Sequence, residues 1–284
     1  MVRDEAAAPA VLEKRAGREF WDSNPCGGRW ADYAAFLKWN VETEPYAFDF
    51  LDRLDWMGKR VLEVGCGQGA VQAHLRRRGA DAVGLDMSMT SLRRAFDGFA
   101  EVGWGANRRF VQSDAEGLPF PDQSFDGVVS FGVLHHTPNT AGAVEEVRRV
   151  LRPGGTAVVM LYRTGNPKWF ASRVARSIGN WLERARRSDG AFAGWLRPRH
   201  GVDDVRGTAL LELFGVPTLK AYSNEESRVM FAGFTQVTIT NYQAGFVRLA
   251  DVVSALRVLR PVFRWVDRRF EHSWGFYQVI EARR

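Results

Sequence analysis

The sequence predicts an α/β protein built on a parallel sheet. Three observations carry that reading. Short β-branched apolar runs alternate with amphipathic helix-length stretches from Arg60 to Leu161. A glycine-rich segment, Gly65-Cys66-Gly67-Gln68-Gly69, sits where the first such run gives way to a helical pattern. The composition, 45% hydrophobic and 25% charged over 284 residues, is that of a globular chain. A core of that size needs no disulfide staples.

Taken in order, the elements are these. Phe20 to Gly28 reads as a helix end and a turn, and Asp32 to Leu54 as one or two helices. Arg60-Val61-Leu62-Glu63-Val64 is a strand, followed after the glycine loop by a helix from Val71 towards Gly79. Ala82 to Asp86 is the second strand, Ser91 to Phe99 a helix, and Arg109 to Gln112 the third strand. Gly127 to Phe131 is the fourth strand, Asn139 to Leu151 a helix, and Thr156 to Leu161 the fifth strand, with Arg152-Pro153-Gly154-Gly155 as the intervening turn. The alternation then lapses for about 60 residues, too many for a simple loop. Helical patterns at Asn166–Arg187 and Arg206–Phe214 mark an inserted cap. A helix at Asn224–Phe231, a strand at Gln236–Asn241, a helix from Leu249 to Phe270 broken near Pro261, and a strand at Trp274–Glu281 complete the chain.

Charge is unevenly placed. The net +6 divides into a local excess of seven positive charges over Arg163–His200, four over Arg257–Arg284, and −5 over the rest. Such basic segments suit an anionic ligand or surface. Cys26 and Cys66 are not a Cys-x-x-Cys pair, and no His–carboxylate cluster has metal-ligand spacing, so no metal is expected. The first residues lack a signal-peptide pattern, and no apolar run approaches the ~20 residues of a spanning helix. The expected location is cytoplasmic.

A glycine loop between strand and helix lets backbone approach a ligand closely. Asp86, 21 residues past Gly65, ends the next strand where an acid can accept both hydroxyls of an adenosine ribose. The loop spacing also satisfies the dinucleotide pattern, which leaves the cofactor open. Three further features narrow it. They are Glu63 two residues before the first glycine, the run Ser113-Asp114-Ala115-Glu116-Gly117-Leu118-Pro119-Phe120, and the run Phe125 to His136 that ends Phe131-Gly132-Val133-Leu134-His135-His136.

Together these residues resemble the class I S-adenosylmethionine-dependent methyltransferases, most closely the methyltransferase type 11 group, from about Lys59 to Leu161. The resemblance implies a Rossmann-like seven-stranded sheet, parallel except for its last strand, with helices on both faces. It implies S-adenosyl-L-methionine as cofactor. Glu63, Gly65 and Gly67 would surround the methionine part, with Cys66 in the same loop. Asp86 would hold the ribose with Met87 against the adenine, Asp114 the adenine amino group with a backbone contact from Ala115, and Phe131 would line the methyl donor. The alternatives are turn glycines at Gly65 and Gly67, and plain core residues at Met87 and Phe131.

His136 and His135 follow the fourth strand and are the candidate general bases, His136 ahead; a loop-shaping role is the alternative. His74 and His200 read as surface or packing residues. Trp21, Tyr33 and Tyr222 are candidate substrate contacts closing over the pocket, against the commoner fate of aromatic core packing. The expected organisation is an N-terminal helical segment at 1–58, a cofactor-binding core at 59–162, a helical cap at 163–223 and the rest of the sheet at 224–284. The cap's arginines and aromatics suggest a small-molecule acceptor with an apolar body that could also carry an anionic group, and O-, N- or C-methylation stays open. The alternatives are a quinone or lipid precursor met through peripheral membrane contact, and a non-catalytic binding protein that keeps the fold. Nucleic acid is not expected as a partner, and monomer and homodimer are both open.

Overall fold

The computed structural model describes residues 7–28, 30–104, 109–166, 216–243 and 258–284, with isolated positions at 169, 170, 173, 174, 177 and 181. Seven strands form one sheet in the order β3-β2-β1-β4-β5-β7-β6. They are β1 (Arg60–Val64), β2 (Asp81–Asp86), β3 (Phe110–Gln112), β4 (Phe125–Phe131), β5 (Leu151–Tyr162), β6 (Gln236–Tyr242) and β7 (Tyr277–Arg283). Strands β1 to β5 pair in parallel, and β7 runs antiparallel to both β5 and β6. The sheet is therefore parallel except for its last strand.

The helices, numbered here in chain order, are α1 (Ala7–Ser23), α2 (Tyr33–Thr43), α3 (Pro45–Asp52), α4 (Ala70–Arg77), α5 (Met89–Glu101), α6 (Thr140–Val150), α7 (Asn224–Met230) and α8 (Arg260–Trp274). A short 3-10 turn, Leu134–His136, follows β4.

Side chains alternate across the sheet, as the two-residue period of a strand requires. Val61, Ala82, Val129, Val158, Met160, Tyr162, Tyr277 and Val279 belong to one buried cluster. Leu62, Val64, Val83, Leu85, Val128, Val159, Leu161 and Ile280 belong to the other. Glu63, Asp86 and Phe131 fall by parity on the first face, all at or near the carboxyl ends of their strands. The strand order reverses between β1 and β4, where open α/β sheets leave a ligand crevice.

One expectation needs correction. Arg152–Gly155 is not a turn ahead of the fifth strand. It lies within β5, which begins at Leu151 opposite Phe125 and shifts register before Gly127 pairs with Thr156. Helix α8 starts at Arg260 with Pro261 in its first turn, where its missing N–H costs no hydrogen bond. Most of the anticipated cap, including the helix at 206–214, lies outside the described residues, as does 249–257.

Candidate active site

A cavity of about 250 Å³ opens at the carboxyl ends of the central strands. The loops after β1 to β4 form its floor, and α1 to α3 cover it. Every residue expected to hold cofactor lines it: Glu63, Gly65, Cys66, Gly67, Asp86 and Met87, then Asp114, Ala115 and Phe131.

The glycine loop is built by backbone bonds. Gly65 and Cys66 both donate to the Leu85 carbonyl, at 2.6 and 2.9 Å. Gly65 has φ +77°, and a Cβ there would come within 2.1 Å of Val133. Only glycine fits such a left-handed, crowded position. At Gly67, φ +50°, an added Cβ would meet nothing within 4 Å, so that backbone faces open space. Its N–H donates to Asp86 Oδ2 at 2.8 Å, and Ser88 N–H donates to Asp86 Oδ1 at 2.8 Å. Each carboxylate oxygen keeps lone-pair capacity for a further donor.

The acids have perturbed chemistry. Burial pushes the Glu63 carboxyl well above the ordinary range, and neighbouring Asp86 adds to the rise, against one N–H bond from Gln72. Its Oε2 is buried with no hydrogen-bond partner among the described residues. Burial also raises Asp86, partly opposed by the Ser88 and Gly67 N–H groups. The Cys66 thiol is pushed up by burial and by both carboxylates, so it stays protonated.

This arrangement fits a cationic cofactor. A positive group beside Glu63 would satisfy the orphaned oxygen and favour the ionised carboxylate. Among the described lining residues, Glu13, Glu44, Glu63, Asp86 and Asp114 are acids and Lys14 is the single lysine or arginine. No cluster of His, Cys, Asp or Glu suited to a metal occurs among the described residues.

Several site residues carried no sequence signal. Lys14 of α1 bridges Asp114 Oδ2 at 2.6 Å and Glu116 Oε2 at 2.7 Å. Partial burial pulls its pKa down, but the two carboxylates outweigh this and raise it. Asp22, at the other end of α1, accepts from Ser88 Oγ at 2.9 Å and Thr90 N at 3.1 Å. Gln68 Nε2 donates to the Cys26 and Gly28 carbonyls at 2.7 and 2.8 Å, which ties the N-terminal turn to the glycine loop. Arg149 donates to the Leu118 and Phe120 carbonyls at 2.9 and 2.8 Å and so steadies the loop bearing Asp114.

The two histidines part company. His136 lines the cavity, and Trp21 meets its ring edge-on at 5.4 Å between centroids. His136 Nδ1 lies 2.8 Å from the Thr218 carbonyl. A carbonyl only accepts, so Nδ1 carries the hydrogen and Nε2 the lone pair of the neutral ring. Thr218 Oγ1 in turn donates to Glu13 Oε1 of α1 at 2.7 Å.

Three candidates stand elsewhere. His135 is fully buried, its ring tilted 31° against Tyr162 with centroids 3.9 Å apart, both ring nitrogens lack hydrogen-bond partners among the described residues, and burial drives its pKa well below normal. It does not line the cavity, because successive residues of a 3-10 turn point about a third of a turn apart. Tyr33 is buried away from the cavity; its hydroxyl donates to the Gln68 carbonyl at 2.8 Å and supports the glycine loop. Tyr222 packs against the cluster on the opposite face of the sheet, its chain bridged to Arg163. Of the proposed substrate contacts, Trp21 alone lines the cavity.

Away from the glycine loop the lining turns aromatic. Tyr162 and Tyr277 are paired in register, and Tyr46 stacks on Tyr277 at 5.1 Å. These three line the cavity with Phe36, Trp39 and Phe131.

Comparison with known proteins agrees. Residues 62–159 match the family described as "Methyltransferase domain". The chain is 33% identical over 195 residues to a phthiotriol/phenolphthiotriol dimycocerosates methyltransferase 1 of Mycobacterium ulcerans, covering 61% of this chain and 70% of that one. It is 30% identical over 202 residues to a ubiquinone biosynthesis O-methyltransferase of Azoarcus sp., covering 69% of this chain and 85% of that one. The chain belongs to the S-adenosylmethionine-dependent methyltransferases. A shorter match, 41% over 131 residues, is to a fatty-acid O-methyltransferase of Mycolicibacterium smegmatis and covers 44% of each chain, less than half that relative's length. The solved structure of an S-adenosylmethionine-dependent methyltransferase from Mesorhizobium loti shares the fold, with a TM-score of 0.54 at 19% identity over 85% of this chain and 97% of that one. The cofactor of this family is S-adenosylmethionine, and the cavity's residues fit it.

Proposed function

We propose that the chain methylates a hydroxyl group on a small apolar acceptor. The observation that carries this reading is His136, whose tautomer is fixed by Thr218 with Nε2 as the basic nitrogen in the wall of the cavity. A base is needed when the nucleophile arrives protonated, as a hydroxyl does, and is worth ~10²–10⁴-fold. When bound, S-adenosylmethionine supplies a methyl group on a positively charged sulfur that departs as a neutral thioether.

The chain's own residues have these roles. Glu63 and the Gly65–Gly67 backbone receive the cationic end, Asp86 accepts the ribose hydroxyls with Met87 beside the adenine, and Asp114 and Ala115 meet the adenine edge. Phe131, Tyr46, Tyr162 and Tyr277 hold the acceptor by apolar and ring contact and exclude water. His136 Nε2 takes the proton of the acceptor hydroxyl. Holding the reacting groups in place supplies much of the rest, up to ~7–11 kcal/mol in favourable cases.

The described lining offers rings and acids, which favours a neutral acceptor there. The arginine-rich stretch that suggested an anionic body lies largely outside the described residues. Two relatives bear O-methyltransferase names, for a fatty acid and for ubiquinone biosynthesis. That supports an oxygen nucleophile on an apolar body. The test is incubation with S-adenosylmethionine and a panel of apolar phenols, long-chain alcohols, amines and carbon acids, read by mass spectrometry. Gain of one methyl on a phenol or alcohol, lost with His136→Asn, supports the reading. Methylation confined to amine or carbon acceptors would overturn it.

A further inference from the structure

Helix α8 carries an unusual outer face. Val262 and Trp265 on it are 54% and 62% exposed, and Val258, just before it, is 80% exposed. Their spacing of four and three residues places them on one stripe of the helix. Exposed Arg264, Arg268 and Arg269 flank or extend that stripe. At the end of α8, Trp274 lies nine residues past Trp265 and so on the opposite side of the helix, where it shares a separate groove of about 1020 Å³ with Trp169, Phe170, Arg173 and Val174. The outer face is therefore the Val258–Val262–Trp265 stripe with its exposed arginines.

We propose that this face is a docking surface for an anionic lipid bilayer. A helix with tryptophan and valine on its outer stripe and arginines beside them lies in the interface between headgroups and acyl chains, where both kinds of side chain are satisfied. A second copy of the chain is the weaker occupant, since seating α8 on α8 would bring the two sets of arginines together.

The experiment is co-sedimentation of the full chain with vesicles of phosphatidylcholine alone or mixed equally with phosphatidylglycerol, without acceptor or turnover. The proposal expects the chain to sediment with the mixed vesicles and to do so at least tenfold less with phosphatidylcholine alone. The double variant Val262→Ser, Trp265→Ser should lose at least tenfold in partitioning. The triple variant Arg264→Gln, Arg268→Gln, Arg269→Gln should lose a similar amount on the anionic vesicles. All should bind S-adenosylhomocysteine as the parent does, which shows that they fold. No sedimentation of the parent chain, or equal sedimentation of the serine variant, overturns the proposal. So does a dimer in solution that the serine variant dissolves while vesicles have no effect, which would assign the face to a second copy. Because no step needs methyl transfer, failure here and failure of the hydroxyl-methylation reading remain distinguishable.

Discussion

Asp86→Asn separates binding from folding. In the free protein, Asp86 accepts the Gly67 and Ser88 N–H groups, both at 2.8 Å. Asparagine keeps one of these and turns an NH₂ towards the other donor, at a cost of about 1–3 kcal/mol for a buried unsatisfied group. The same change removes a carboxylate that burial disfavours, as its raised pKa shows. The two effects oppose each other, so Tm should move by less than about 4 °C. Cofactor affinity has no such offset. A hydrogen bond to a charged acceptor is worth about 1.5–3 kcal/mol, which converts to a roughly 10- to 150-fold weaker Kd. The assay is calorimetric titration with S-adenosylhomocysteine, with thermal unfolding of the free protein alongside. A Kd within threefold of the parent at unchanged Tm would refute the role given to Asp86 and, with it, the placement of the ribose at the end of β2.

Other outcomes follow from the same geometry. Glu63 has a raised pKa in the free fold, so its contribution to stability is full below about pH 4 and is lost as pH rises through the raised value. A cation beside it pulls that pKa back, so S-adenosylmethionine binding should release a proton at pH values between the free and the cofactor-bound pKa of Glu63, measured by calorimetry in buffers of different ionisation enthalpy and at several pH values; Glu63→Gln should abolish the release. His135 has a depressed pKa, so its contribution is present above about pH 6.5 and is lost as pH falls. His135→Leu should retain activity and flatten the acid side of the stability curve, gaining about 1–3 kcal/mol near pH 5.5 by removing unsatisfied ring nitrogens. Lys14→Met should free Asp114 from its partly exposed ion pair and tighten cofactor Kd by up to about fivefold, since such pairs are worth up to ~1 kcal/mol. A weaker Kd would mean that Lys14 holds α1 closed over the bound cofactor.

What was legible in the sequence was local. The apolar runs of β1, β2, β4 and β5 and the glycine loop announce themselves within a few residues. Strand parity alone places Glu63, Asp86 and Phe131 on one face of the sheet. What was hidden depends on distance along the chain. Lys14 meets Asp114 a hundred positions away, and Glu13 meets Thr218 across two hundred. No local pattern marks either pair. Tyr33 is an aromatic whose hydroxyl could face solvent, ligand or backbone, and only the packed fold turns it to Gln68. The His135–His136 pair offered no means of choosing, because the tight turn after β4 decides which ring reaches the cavity. The start of β5 was hidden by its proline and glycines, whose turn chemistry the pairing of Leu151 with Phe125 overrides.

The central claim is base-assisted methylation of a hydroxyl at His136, and single-turnover transfer from S-adenosylmethionine to a phenolic acceptor, followed from pH 5 to 9, tests it most directly. Transfer to the neutral hydroxyl should proceed in the parent chain, with His136 Nε2 taking the proton. His136→Asn should lower the rate at least a hundredfold and change its pH dependence while leaving cofactor Kd within threefold. An unchanged pH profile and rate in the variant would contradict the account and leave His136 as a wall of the cavity with no part in proton transfer.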